Sequence, residues 1–164
     1  MTRSPIALRP MLPTDIPTLA SIARDAIEEL AADDYDDRQR IAWNDALEDN
    51  FAQRVTTALT IVASIDGTPV GFTSLTDNKH IDLLFVDPRA ARNGVATTLC
   101  DALEKLALAR GTRELTADVS DTAKPLFDAR GYVGLRRNTV PLGDEWLANT
   151  SMRKTLVPKP ANQP

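Results

Sequence analysis

Apolar and polar positions follow two rhythms along this chain, and the points where one gives way to the other divide it into elements. The opening run "IALRPM" has the character of a short strand. Ile16, Leu19, Ile22, Ala23, Ile27 and Leu30 then recur on one helical face, with Thr14 or Asp15 placed to cap the helix and Pro17 in its first turn. An acidic connector, "AADDYDD", leads into a second helical segment that carries Ile41, Trp43, Leu47 and Phe51. "LTIVASIDGTPVGFTSL" reads as a hairpin, because Asp66-Gly67 tolerates the positive φ of a tight turn between two β-rich runs. "KHIDLLFVD" is the next strand, and strict alternation along it would put His80, Asp82, Leu84 and Val86 on one face.

A longer helix runs from about Gly94 to Arg110, marked by Val95, Leu99, Leu103 and Leu106 and closed by Gly111. "ELTADV" is a strand, "TAKPLFDARG" a short helix, and "YVGLRRNTV" and "TSMRKTLV" the last two strands. The predicted order is β, α, α, β, β, β, α, β, α, β, β. With no repeat and no internal linker, it implies one α/β domain over residues 6–157, followed by a disordered Pro-rich tail at 158–164.

Composition narrows the class. A chain of 164 residues with 43% hydrophobic and 26% charged residues suits one aliphatic core. The net charge of −4 argues against a nucleic-acid partner, which needs a clustered basic face. With Cys100 the single cysteine and His80 the single histidine, neither a disulfide nor a Cys/His metal site is expected. No apolar run is long enough for a signal peptide or a membrane span, so no membrane association and a cytoplasmic location are expected.

The candidate chemistry begins in "DLLFVDPRAARNGVATTLC". A strand passing through a glycine turn into a helix leaves unpaired amides at the positive end of the helix dipole, which is an anion site. Arg92, Asn93, Gly94, Val95, Ala96 and Thr97 would form it, with Arg89 adding positive charge nearby. The Lys-Ser/Thr of a P-loop is missing after the glycine, and so is dinucleotide-binding glycine spacing. An ordinary strand-to-helix turn is the alternative on these residues alone.

With its flanking elements the stretch resembles the core of the GNAT N-acetyltransferase superfamily, over about Ile6 to Val157. There the turn reads Gln/Arg-x-x-Gly-x-Gly/Ala and its amides hold the pyrophosphate of acetyl-CoA; here it reads Ala91, Arg92, Asn93, Gly94, Val95, Ala96, with Ala91 in the leading position. The resemblance implies a mixed, mostly antiparallel, twisted sheet with helices on both faces. It implies acetyl-CoA as cosubstrate, direct transfer to a primary amine, and a homodimer as a common assembly. It puts a carboxylate base on the "KHIDLLFVD" strand, which makes Asp82 the first candidate and His80 the second. It gives the backbone of Leu84, Phe85 and Val86 to the pantetheine arm, with Ser120 as a further pantetheine contact or a helix cap.

The family's usual tyrosine, which protonates the departing thiolate, falls on Phe127, and Tyr132 matches a packing aromatic after Gly131. Either another acid such as Tyr35 serves, or the thiolate leaves unassisted, which its pKa of about 8.5 allows. Asp33, Asp34, Asp36 and Asp37 around Tyr35 would favour a cationic acceptor by local potential, and a solvated loop is their plainer reading. The departures at Ala91 and Phe127 also support a second reading, an acyl-CoA-sensing or interaction module without turnover. A nucleotide-binding α/β domain of another kind would need phosphate motifs that are missing.

Overall fold

The structure, a computed structural model, describes residues 4–157, so the tail expected to be disordered lies outside the described residues. The elements are β1 (Ile6–Pro10), α1 (Ile16–Leu30), α2 (Asp37–Thr57), β2 (Leu59–Ile65), β3 (Thr68–Thr76), β4 (His80–Val86), α3 (Val95–Ala109), β5 (Glu114–Ser120), α4 (Lys124–Ala129), β6 (Val133–Leu142) and β7 (Glu145–Thr155). This is the order that the hydrophobic rhythm predicts. The strands form one seven-stranded sheet in the order β1-β2-β3-β4-β5-β7-β6. Every neighbouring pair is antiparallel except β4 and β5, which run parallel. No helix among the described residues is long and apolar enough to cross a membrane.

Helices cover both faces. Leu19 and Ile22 of α1 with Phe51 and Val55 of α2 pack on Val62, Phe72 and Leu83. Phe72 anchors that side, with the rings of Phe51 and Phe85 each 5.8 Å from its own. On the opposite face Leu103 and Ala107 of α3 and Phe127 of α4 pack on Leu75, Ile81 and Leu115.

Local details depart from the sequence reading in three places. Asp15 does not cap α1: its buried carboxylate accepts from Arg9 Nη1 and Nη2 at 2.7 and 2.8 Å and from Leu12 N at 2.7 Å, which ties β1 to the helix start. Ile41 is 61% exposed, because the buried stripe of α2 passes through Trp43, Leu47, Phe51 and Val55 and a residue two positions before Trp43 lies about 200° round the helix.

The third departure matters most for the site. Ser74 pairs with Leu83 and Leu75 with Ile81, so Asp82 is the extra residue of a β-bulge. The bulge shifts the alternation by one. Leu83 and Phe85 therefore join the α1/α2 core, while Leu84 and Val86 pack toward Val95 and Leu99 of α3. His80 and Asp82 do share a face, but Leu84 and Val86 lie on the other one.

Two further features position the site. β4 and β5 pair only at His80 with Thr116 and Ile81 with Ala117, and beyond those residues the parallel strands part. Helix α3 lies close over β3 because Gly71 has no side chain: a Cβ there would stand 2.9 Å from Val95 Cγ1 and 3.0 Å from Phe85 O.

Candidate active site

The opening between β4 and β5 leads into two cavities on either side of a shared wall. The first, about 420 Å³, lies at the carboxyl ends of the two strands. Leu84, Phe85 and Val86 of β4, Arg92 and Gly94 to Thr97 of the turn, and Ser120 of β5 line it. Its volume falls in the range of small-molecule sites. Asn93 is exposed and does not line the cavity, although it belongs to the same turn.

The turn has the geometry that an anion site needs. Arg92 has φ +65° and Gly94 φ +82°, and Gly94 occupies the position just before α3. No heavy atom lies within 4 Å of where a Cβ on Gly94 would be, so the glycine is there for its backbone angle and open approach. Among the described residues the first bond donated at this helix end runs from Thr98 N to Gly94 O at 3.0 Å, which leaves the amides of the first turn available. Arg92 is the cation on the cavity wall. Arg89 is turned away: its Nε and Nη2 donate to Asp87 at 3.0 and 2.9 Å, and its Nη2 lies 3.9 Å from Asp25 of α1. The Arg89 guanidinium holds the buried Asp87 carboxyl below the usual carboxylate range.

The second cavity, about 400 Å³, lies on the α2 side of the sheet. His80, Asp82 and Asp118 line it where the strands part, with Asn50 and Arg54 of α2 and Asn149 of β7 around them. Trp43, Leu142 and Leu147 line its apolar part. Leu84, Phe85, Ser120, Ala123 and Trp43 border both cavities.

Asp82 is clamped by Arg54, whose Nε and Nη2 donate to its two oxygens at 3.0 and 2.9 Å. This fork-to-fork pairing fixes the carboxylate in one orientation. His80 Nδ1 is joined to Thr116 Oγ1 at 2.8 Å across the first of the two paired rungs. Ser120 Oγ accepts from Ala123 N at 3.1 Å, so it caps the turn into α4 while still bordering both cavities.

Tyr35 is buried and its hydroxyl is fully engaged, donating to Ala148 O at 2.6 Å and accepting from Asp121 N at 2.9 Å. Burial raises its phenol above the ordinary value. Three of the four acids around it have structural work: Asp36 and Gln39 form a reciprocal cap on α2, Asp34 accepts from Thr122 Oγ1 at 2.9 Å, and Asp37 pairs with Arg40. Phe127 is buried against Tyr132 with ring centres 4.8 Å apart, and the Tyr132 hydroxyl donates to Glu104 at 2.9 Å. Cys100 is buried away from both cavities, its thiol pushed up to about 11 by desolvation. No group of three or more His, Cys, Asp or Glu among the described residues is arranged to hold a metal ion.

Sequence reasoning missed Arg54 and Asp118. Arg54 reads as the ordinary basic end of a helix, and only the fold brings it to Asp82, 28 residues away. Asp118 alternates with Ala117 and Val119 as a solvent-facing strand residue would, and that exposed position turns out to look into the opening.

The family model for an acetyltransferase (GNAT) domain matches residues 31–156. The chain is a member of the GNAT acetyltransferase family. This acetyltransferase is 34% identical over 148 residues to an uncharacterised N-acetyltransferase of Escherichia coli, YafP, covering 90% of this chain and 95% of that protein. Its fold matches a crystal structure of a GCN5-related N-acetyltransferase from Rhodopseudomonas palustris with TM-score 0.91 and 51% identity, over 95% of this chain and 99% of that one. It also matches yncA from Salmonella typhimurium, a structure holding acetyl-CoA, with TM-score 0.66 and 21% identity over 98% and 99% of the two chains, a likeness of fold. The GNAT fold is thus present with its strand opening and its glycine turn, and Ala91 leaves the amide row intact while providing no side-chain donor.

Proposed function

We propose that the protein transfers the acetyl group of acetyl-CoA to a primary amine by direct attack in a ternary complex. The observation that carries this reading is the wall shared by the two cavities, where Leu84, Phe85, Ser120 and Ala123 border both. Two substrates entering from opposite sides meet there. Acetyl-CoA, the molecule held by the yncA relative, supplies the activated acyl group.

The residues divide the work as follows. The first-turn amides of α3, from Gly94 to Thr97, receive the pyrophosphate, with Arg92 beside them. The free edge of β4 at Leu84 to Val86, unpaired by β5, offers backbone groups to the pantetheine arm and an amide to the developing oxyanion.

An alkyl ammonium with pKa of about 10.4 must lose a proton before it attacks. Both Asp82 oxygens already accept from Arg54, so their remaining lone pairs orient the amine or the water that takes its proton. His80, tied at Nδ1 to Thr116, has its Nε2 left to assist. Phe127 has no proton to give and the Tyr35 hydroxyl donates to Ala148 O, so the thiolate departs without a side-chain acid.

The test combines acetyl-CoA calorimetry with thiol detection of CoA release over a panel of amines. Asp82→Asn is expected to lower kcat about 100-fold or more while leaving the acetyl-CoA Kd within about twofold. Unchanged turnover would remove Asp82 from this role. Acetyl-CoA binding with no release on any amine would favour an acyl-CoA sensor over an enzyme.

A further inference from the structure

The ionised side chains lining the second cavity do not cancel. Arg54 and Asp82 neutralise each other through two hydrogen bonds. Asp118 stands on the same face: Leu115, Ala117 and Val119 of β5 point into the α3/α4 core, which turns Thr116, Asp118 and Ser120 toward α2. Asp82 and Asp118 are the residues that follow the last paired rung, Ile81 with Ala117, on their two strands. Asp118 therefore looks into the opening at the point where the strands begin to part. Among the described residues no Arg, Lys or His forms an ion pair with it; Ser151 Oγ donates to its Oδ1 at 2.7 Å.

That single contact fixes the carboxylate. Ser151 Oγ also accepts from Asn138 Nδ2 at 2.8 Å, and Asn138 Oδ1 accepts from Arg136 Nε at 2.8 Å. A chain of oriented donors thus ends on one oxygen of Asp118 and leaves the other open to the cavity. A carboxylate held this way and then covered by a ligand must gain a cation, since an unpaired charge cut off from water is costly. Toward the opposite end, Trp43, Leu142 and Leu147 form one apolar cluster with Tyr35. A ligand that satisfies both ends has a cationic head and an apolar body.

We propose that Asp118 is the counter-ion that captures the acceptor as a primary ammonium, with the acceptor's apolar body lying along Trp43, Leu142 and Leu147. The inference rests on the reading of the second cavity as the acceptor site. It makes Asp118 the residue that selects the acceptor's charge, and Ser151 the group that positions it.

Benzylamine and benzyl alcohol, alike in shape and different in charge at pH 7.5, are the probes. Their binding is measured by Trp fluorescence or calorimetry on the free protein and on the protein saturated with CoA. Wild type is expected to bind the amine about tenfold more tightly than the alcohol. Asp118→Asn is expected to erase that preference with the alcohol affinity unchanged, and Ser151→Ala to narrow it. Equal affinities in wild type, or a preference that survives in Asp118→Asn, would overturn the proposal. If acetyl-CoA fails to bind, the proposed function fails whatever the probes do. If CoA release on amines continues while the charge preference is absent, the assignment of Asp118 alone is lost.

Discussion

Replacing Gly71 by alanine tests whether the turn proposed to bind phosphate depends on how closely α3 lies on the sheet. The added Cβ would stand 2.9 Å from Val95 Cγ1, 3.0 Å from Phe85 O and 3.4 Å from Leu99 Cδ1. Phe85 pairs with Phe72 in the middle of the β3–β4 ladder, so its carbonyl has little room to yield. Val95 and Leu99, buried at 1% and 0% exposure, have to move outward and take the start of α3 with them. Overpacking of this kind costs about 1–3 kcal/mol. Alanine also restricts the unfolded chain, which returns about 0.4–1 kcal/mol. The net loss of roughly 0–2.6 kcal/mol lowers Tm by up to about 10 °C in a chain of this size.

Because Val95 follows Gly94 directly, the same shift displaces the amides proposed to hold pyrophosphate, and acetyl-CoA affinity should fall along with stability. Thermal unfolding and acetyl-CoA calorimetry on one preparation read both effects. Gly94→Ala serves as the comparison: it meets no neighbouring atom, and strains only the left-handed backbone, by about 1–2 kcal/mol. A Gly71→Ala protein with Tm above the wild-type value, or with unchanged Tm and unchanged acetyl-CoA affinity, would refute the packing argument.

Three further outcomes are expected. Tyr35→Phe removes the partner of Ala148 O and Asp121 N in a part-buried setting and should cost about 1–2 kcal/mol by urea unfolding. Arg54→Met leaves the Asp82 carboxylate half-buried and unpaired; with the two side chains 33% and 24% exposed, solvent screening limits the loss to about 1–2 kcal/mol, and the Asp82→Asn, Arg54→Met double variant should recover part of it. Stability should also fall in acid. Arg9 holds Asp15 low and Arg89 holds Asp87 low, while burial would raise Glu104 but hydrogen bonds from Arg130, Lys154 and Tyr132 outweigh it. Carboxyls depressed in the folded state contribute stability that is present above their unfolded pKa near 4 and is lost as pH falls through the lower folded values. Urea midpoints between pH 2 and 7 should show that slope, and Glu104→Gln should flatten it.

Much of the architecture was legible because it is local. The 3.6-residue stripe of α1, the Asp66-Gly67 turn and the glycine before α3 each state their conformation in a few adjacent residues, and the element order followed from them. The conformation of the turn proposed to bind pyrophosphate was readable for the same reason, since it depends on a glycine and a helix start. The bulge at Asp82 was not legible: nothing in "KHIDLLFVD" marks an extra residue, which is set by how β3 pairs with β4. It reversed the faces of Leu84 and Val86 relative to strict alternation. The Arg54 clamp and the Ser151 contact to Asp118 were hidden too, because they join residues 28 and 33 positions apart. Tyr35 looked like a candidate acid on its residue type, and only the fold shows its hydroxyl bridging Ala148 and Asp121.

In the proposed complex acetyl-CoA lies between β4 and β5 with its pyrophosphate on the first turn of α3. Backbone amide NMR during an acetyl-CoA titration tests it most directly. The largest shifts are expected on Gly94 to Thr97 and on Leu84 to Val86, and Gly94→Glu is expected to abolish them while the protein stays folded. Saturable shifts confined to other parts of the sheet, or none at all in a folded protein, would contradict it.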